Sequence, residues 1–95
     1  MVKILVTRQI PDHFIEQLEQ FGDVKMWEEA FEPMPREQFL KELEDVDACF
    51  ITLSEKIDAT CLEHAKHVKV IANMAVGFDN IDVKLAEDKE IVVTN

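Results

Sequence analysis

Glycine is nearly missing from this sequence: Gly22 and Gly77 are the two it has. A dinucleotide-binding turn of the form G-x-G-x-x-G needs three, for the tight turn and for close approach of the backbone to a pyrophosphate. That fingerprint therefore has no place in these 95 residues. Three prolines add little, so a loop-rich or low-complexity chain is excluded. Cysteine occurs twice, at Cys49 and Cys61. A disulfide scaffold needs more, and a zinc site needs tighter clustering with histidine. Both read as small core hydrophobes from a reducing compartment. No apolar run approaches membrane length, and Met1-Val2-Lys3-Ile4 enters a strand with no leader-like segment, so the cytoplasm is the expected location. Basic residues are also few: 10 Lys+Arg stand against 20 Asp+Glu, a formal charge of −10. Nucleic acid and anionic membrane would be repelled and are not expected as partners. The acidic residues are spread over the predicted helices, which is also what a soluble, self-repelling surface looks like.

What the chain does contain is an alternation of short apolar runs with amphipathic stretches, at 47% apolar residues. Val2 to Thr7 reads as a buried strand. Pro11-Asp12 opens a helix whose Phe14, Ile15, Leu18 and Phe21 share one face, with Gly22 as its stop. Val24 to Trp27 is a second strand. A polar loop follows, and Pro35 starts a helix with Phe39, Leu40 and Leu43 as its stripe. Ala48 to Leu53 is almost continuously apolar, as a central parallel strand should be. Asp58 caps a short helix through Ala65. Lys69 to Asn73 is a fourth strand, Asp82 caps a helix carrying Leu85 and Ala86, and Ile91 to Thr94 is a fifth strand. This pattern predicts an α/β fold: a flavodoxin-like three-layer sandwich with a five-stranded parallel sheet in the order 2-1-3-4-5, helices on both faces, and a single domain over residues 1–95.

Ligands of such sheets bind outside the carboxyl ends of the strands. The segments there are Thr7-Arg8-Gln9, Leu53-Ser54-Glu55, Met74-Ala75-Val76-Gly77 and Thr94-Asn95. A phosphoacceptor domain would need acidic residues after the first and third strands to hold Mg²⁺. A flavin phosphate loop would need small Ser, Thr and Gly residues after the first. Neither is present. Gly77 would let a ligand approach the backbone, and the amides of Val76 and Gly77 lie near a helix start, where a carboxylate is favoured. The alternative is that Gly77 serves a tight turn and Asp79, Asn80 or Asp82 merely caps the helix. Cys61-x-x-His64-x-x-His67 does not converge on a metal, because steps of three drift around a helix; His64 and His67 read as surface residues at a helix end. Arg8 stands at a strand's carboxyl end, where it could meet an anion or serve a surface ion pair.

The stretch Lys69-Val70-Ile71-Ala72-Asn73-Met74-Ala75-Val76-Gly77-Phe78-Asp79-Asn80-Ile81-Asp82, running on to Ile91-Val92-Val93-Thr94-Asn95, resembles the D-isomer-specific 2-hydroxyacid dehydrogenases and their K-V-I-x-x-x-x-V-G-x-D-N-I-D…V-T-N pattern. Val6-Thr7-Arg8-Gln9-Ile10-Pro11 and Leu53-Ser54-Glu55-Lys56-Ile57-Asp58 are similar to the glyoxylate and hydroxypyruvate reductase branch. The resemblance runs in order through essentially the whole chain.

It implies a substrate domain of an NAD(P)H-dependent oxidoreductase that reduces small 2-oxo acids such as glyoxylate or hydroxypyruvate. The amides of Val76 and Gly77 would hold the substrate carboxylate, Leu53 and Ser54 would line the cleft, and Thr94-Asn95 would begin an interdomain hinge. The family's Arg, Glu and His and its glycine-rich cofactor loop belong to the pattern beyond residue 95. The expectation is therefore a chain with no catalytic, cofactor-binding or metal-binding residue of its own and no turnover alone, the NAD(P)-binding domain being absent. Apolar surface that the family covers with further chain would be exposed, favouring a homodimer. A different reading is a self-associating structural module, or an engineered domain, of the same fold with no ligand.

Overall fold

A computed structural model describes residues 2–29, 32–74 and 77–94. The elements alternate as β1 (Val2–Val6), α1 (Asp12–Glu19), β2 (Gly22–Met26), α2 (Arg36–Leu43), β3 (Ala48–Ile51), α3 (Ala59–His64), β4 (Val70–Asn73), α4 (Val83–Asp88) and β5 (Val92–Thr94). The five strands form one sheet in the order β2-β1-β3-β4-β5, with every neighbouring pair parallel. This is the predicted order. Register partners Leu5, Cys49, Ile71 and Val93 line up across four strands.

Side chains of a strand alternate between the two faces of the sheet. Leu5, Cys49, Ile51 and Ile71 pack with Phe39 and Leu43 of α2, Cys61 and Leu62 of α3, and Ala86 of α4, and this is the main core. The opposite face carries Ile4, Ala48, Val70 and Val92 in one row and Val6, Phe50, Ala72 and Thr94 in the next. Helix α1 lies on that face alone. It covers the β1 end, where Ile4 and Val6 are buried, and leaves Val70 and Val92 exposed.

That distribution corrects the expectation for α1. Its apolar stripe forms, but no residue of the helix is buried, and Phe14 and Phe21 remain 48% and 71% exposed. The physical reason is the lone position of α1: with no neighbouring helix, the stripe borders an open groove. Gly22 differs too. The helix ends through Gln20 in right-handed backbone, and Gly22 instead opens β2. A Cβ there would lie 2.0 Å from the Val2 carbonyl oxygen, so glycine is required by the close β1–β2 approach. The third strand also ends earlier than expected, at Ile51.

Caps appear where the sequence places them. The Asp58 carboxylate accepts from the Cys61 N–H at 3.0 Å, and Asp82 accepts from the Leu85 N–H at 3.1 Å. The Cys61 N–H, and after it the Arg36 guanidinium at 2.7 Å, hold the Asp58 carboxyl below the usual range. Both cysteines are free and buried as expected. Burial pushes the Cys61 thiol up to about 12. It pushes Cys49 higher still, helped by Cys61 and Glu55, so neither is a reactive thiolate near neutral pH. Among the described residues, no helix is long and apolar enough to cross a membrane.

Candidate functional site at the carboxyl edge of the sheet

Three loops meet where β1, β3 and β4 end. The loop after β3 and the loop after β4 are joined by a parallel bridge between Ile57 and Ile81. In it the Ile57 N–H donates to the Asn80 carbonyl at 2.7 Å and the Asp82 N–H donates to the Ile57 carbonyl at 2.9 Å. The bridge extends the sheet's pairing past its regular strands and fixes the second loop against the first.

Beneath the bridge lies a polar network that sequence reasoning did not identify as such. Thr7, Glu55 and Asn73 are the buried polar residues among those described. One oxygen of Glu55, Oε1, accepts from the Thr7 hydroxyl, from the Thr52 N–H at 3.0 Å and from the Thr52 hydroxyl at 3.3 Å. Its Oε2 is buried and has no partner among the described residues. Asn80 donates from Nδ2 to the carbonyls of Thr52 at 3.1 Å and Glu55 at 2.8 Å. Asn73 donates from Nδ2 to Asn80 Oδ1 and to the Gly77 carbonyl, both at 2.9 Å. Apart from Glu55 Oε2, the buried side-chain polar atoms among the described residues find partners, and such networks specify one arrangement of the backbone around them. The available signal was an asparagine closing an apolar strand, Val70 to Asn73. A residue of that kind in a core must find hydrogen bonds.

The residues singled out from sequence fall around this network. Gly77 is half-buried on the loop after β4, directly above Asn73. Among the described residues no close neighbour requires glycine there: a Cβ would meet nothing of them within 4 Å. Val76 lies outside the described residues, as does Asn95 of the expected hinge pair. Leu53 is 64% exposed on the rim. Ser54 is exposed, its N–H donating to the Thr52 hydroxyl at 3.2 Å. Ser54 also borders a hollow of about 400 Å³ with Glu55, Lys56, Asp58, Arg36, Phe39 and Met34. Leu53 and Ser54 are thus on the same edge as Gly77 but on the adjoining loop. Arg8 is exposed at the end of β1. His64 lies 3.5 Å from Glu44 at the surface, and His67 is exposed.

The family model for the catalytic domain of D-isomer specific 2-hydroxyacid dehydrogenases matches residues 4–95. The chain belongs to this family. Glyoxylate reductase of Pyrococcus furiosus is 46% identical over 93 residues, which cover 98% of this chain and 27% of that protein. Glyoxylate reductase of Thermococcus kodakarensis is 45% identical over the same length, covering 98% of this chain and 28% of that protein. In three dimensions the chain is similar to the TT0316 protein of Thermus thermophilus, with a TM-score of 0.87, 32% identity, and coverage of 97% of this chain and 29% of that one. The PH0520 protein of Pyrococcus horikoshii gives a TM-score of 0.88 at 25% identity, covering all of this chain and 28% of that one. This 2-hydroxyacid dehydrogenase domain therefore spans a little over a quarter of the length of the relatives it matches.

Proposed function

We propose that this domain binds the carboxylate of a small 2-oxo acid, of the glyoxylate or hydroxypyruvate type, at the Gly77 loop, as the substrate-side part of an NAD(P)H-dependent reductase. The observation that carries the reading is the open space at Gly77. A glycine that no neighbour among the described residues needs is suited to what approaches from outside, here at the edge where wound sheets take their ligands. The adjoining Leu53-Ser54 loop would border the acid's other end. A similar solved structure, at a TM-score of 0.72 and 25% identity, is that of an NADPH-dependent glyoxylate/hydroxypyruvate reductase from Sinorhizobium meliloti, of which this chain covers 28%.

The residues of this chain do not themselves fit a dinucleotide. The loop after β1 has no glycine, and its Gln9 side chain is tied to the Glu28 carbonyl. Hydride transfer is accordingly assigned to the remainder of such an enzyme, and this chain alone is expected to show no NAD(P)H-dependent reduction of glyoxylate. The free, buried Cys49 and Cys61 fit a reducing cytoplasm.

Titration of the ¹⁵N-labelled chain with glyoxylate at millimolar concentration tests the proposal. Shifts confined to Gly77, Phe78 and the Leu53-Ser54 turn are expected. Shifts elsewhere, or none, would remove the basis for an anion site here.

A second reading rests on a different observation. Ile10, Phe14, Leu18, Phe21, Phe50 and Met74 border a groove of about 520 Å³ beside α1, on the half-covered face of the sheet. Parallel sheets are ordinarily covered on both faces, and exposed apolar patches favour association. A homodimer through this face is the outcome proposed. Light scattering should show a concentration-dependent rise in mass that Phe14→Glu abolishes; a monomer at all concentrations rejects it.

A further inference from the structure

We infer that Asn73 and Asn80 act as a coupled pair of positioning residues that sets which way the Gly77–Phe78 peptide faces, and so presents the Phe78 N–H as a further donor to the bound carboxylate. The inference deepens the anion-site reading above and rests on it.

The two side-chain amides have a definite polarity, imposed from the β3 end. Thr52 and Glu55 each direct a backbone carbonyl at Asn80, at 3.1 and 2.8 Å. Carbonyls only accept, so the NH₂ of Asn80 must face them and its Oδ1 must face the other way. That oxygen meets Asn73, whose NH₂ must then face Asn80, at 2.9 Å. The second hydrogen of the same NH₂ is left for the Gly77 carbonyl, also at 2.9 Å. Flipping either amide would set acceptor against acceptor.

The consequence reaches the rim through peptide geometry. No cis peptide occurs among the described residues. In a trans peptide the C=O and the following N–H point in opposite directions. With the Gly77 carbonyl drawn inward to buried Asn73, the Phe78 N–H is turned away from the network. A polarity fixed by two carbonyls on the loop after β3 thereby orients a donor on the loop after β4. Phe78 itself is exposed, its carbonyl accepting the Ile81 N–H at 2.9 Å to close the turn.

The decisive variant is Asn73→Asp, which keeps size and loses both donors. Asn73→Leu is its uncharged companion. Ile71→Val, in the same strand and also buried, is the control for lost stability without lost polarity. All are made in the 95-residue chain and read by ¹⁵N and ¹³C NMR, with circular dichroism to confirm folding. Without ligand, the Gly77 carbonyl carbon and the Phe78 amide should move in both Asn73 variants and stay in place in Ile71→Val. With glyoxylate, the apparent dissociation constant should rise about tenfold in the Asn73 variants, the effect of one aligned hydrogen bond. In Ile71→Val it should be unchanged.

If the unliganded signals of Gly77 and Phe78 are the same in folded Asn73→Asp as in the parent chain, the inference is wrong whatever glyoxylate does. If the parent chain shows no glyoxylate response while those signals do move, the peptide orientation stands and the anion-site reading fails. Should both Asn73 variants unfold, Asn80→Ser, which removes the Oδ1 acceptor, gives the same unliganded readout at the other partner.

Discussion

Asn80→Asp is expected to destabilise the domain by about 3–5 kcal/mol at neutral pH, a loss set by the polarity of one amide. In the native chain the Asn80 NH₂ satisfies two backbone carbonyls, those of Thr52 and Glu55, on the loop that also carries the Glu55 carboxylate. An aspartate of the same shape places acceptors against both carbonyls and sets a negative charge among them. Removing donors from partly buried acceptors, and leaving a charge among them uncompensated, are among the few single-residue changes with effects of this size. The deficit should also depend on pH with a definite sign. The surroundings disfavour the charged form, so the folded pKa of the new carboxyl lies above its unfolded value. Relative to the parent chain, stability is then recovered as pH falls below that folded pKa, where the protonated group can donate to one carbonyl, and is lost as pH rises through it. Urea denaturation of the parent and variant from about pH 4 to 7 checks this: the gap between their midpoints should narrow toward acid. A constant gap would mean that Asn80 contributes only as a helix-entry residue.

This network also marks the boundary of what the primary sequence makes legible. Strand order is readable because each apolar run is short and each is followed by an amphipathic stretch, and right-handed crossovers leave few ways to arrange them. The helix starts at Asp58 and Asp82 are local chemistry and appear as expected. The Gly77 loop is locatable because parallel sheets place ligands at one edge, and the family pattern runs through it. Asn80, by contrast, reads locally as one of several capping candidates. Its actual partners, Thr52, Glu55 and Asn73, come from other segments of the chain. Glu55 gives no local sign of burial either: it stands in a polar stretch, Ser54-Glu55-Lys56, and is 3% exposed because the Thr7 hydroxyl and the Thr52 N–H close over it. Long-range polar partnerships leave no periodic trace, whereas apolar faces do.

An apolar face, however, announces only that a stripe exists, and the contrast between two phenylalanines gives the other large expected effect. Phe39→Ala should cost about 3–5 kcal/mol, whereas Phe14→Ala should cost less than about 1 kcal/mol. Both residues belong to helical stripes of similar appearance. Phe39, on α2, is 1% exposed and packs in the core shared with Leu5, Leu43, Ile51 and Leu62. Phe14, on the lone helix α1, is 48% exposed at the side of an open groove. A chain of 95 residues has a total stability of about 5–14 kcal/mol at typical values per residue. A sheet covered on only part of one face buries less apolar surface than a closed sandwich, which places this domain toward the low end. The loss at Phe39 is then a large fraction of the whole, equivalent to a fall in Tm of about 15–30 °C. Phe39 and Met34 also line the hollow beside Ser54 and Glu55, so the cavity left by the ring lies directly under the loop that borders the proposed anion site. Chemical denaturation with an unchanged m-value would assign the loss to the native core. Equal effects from the two substitutions would mean that α1 is covered in solution, and would point to the groove as an occupied interface between copies of the chain.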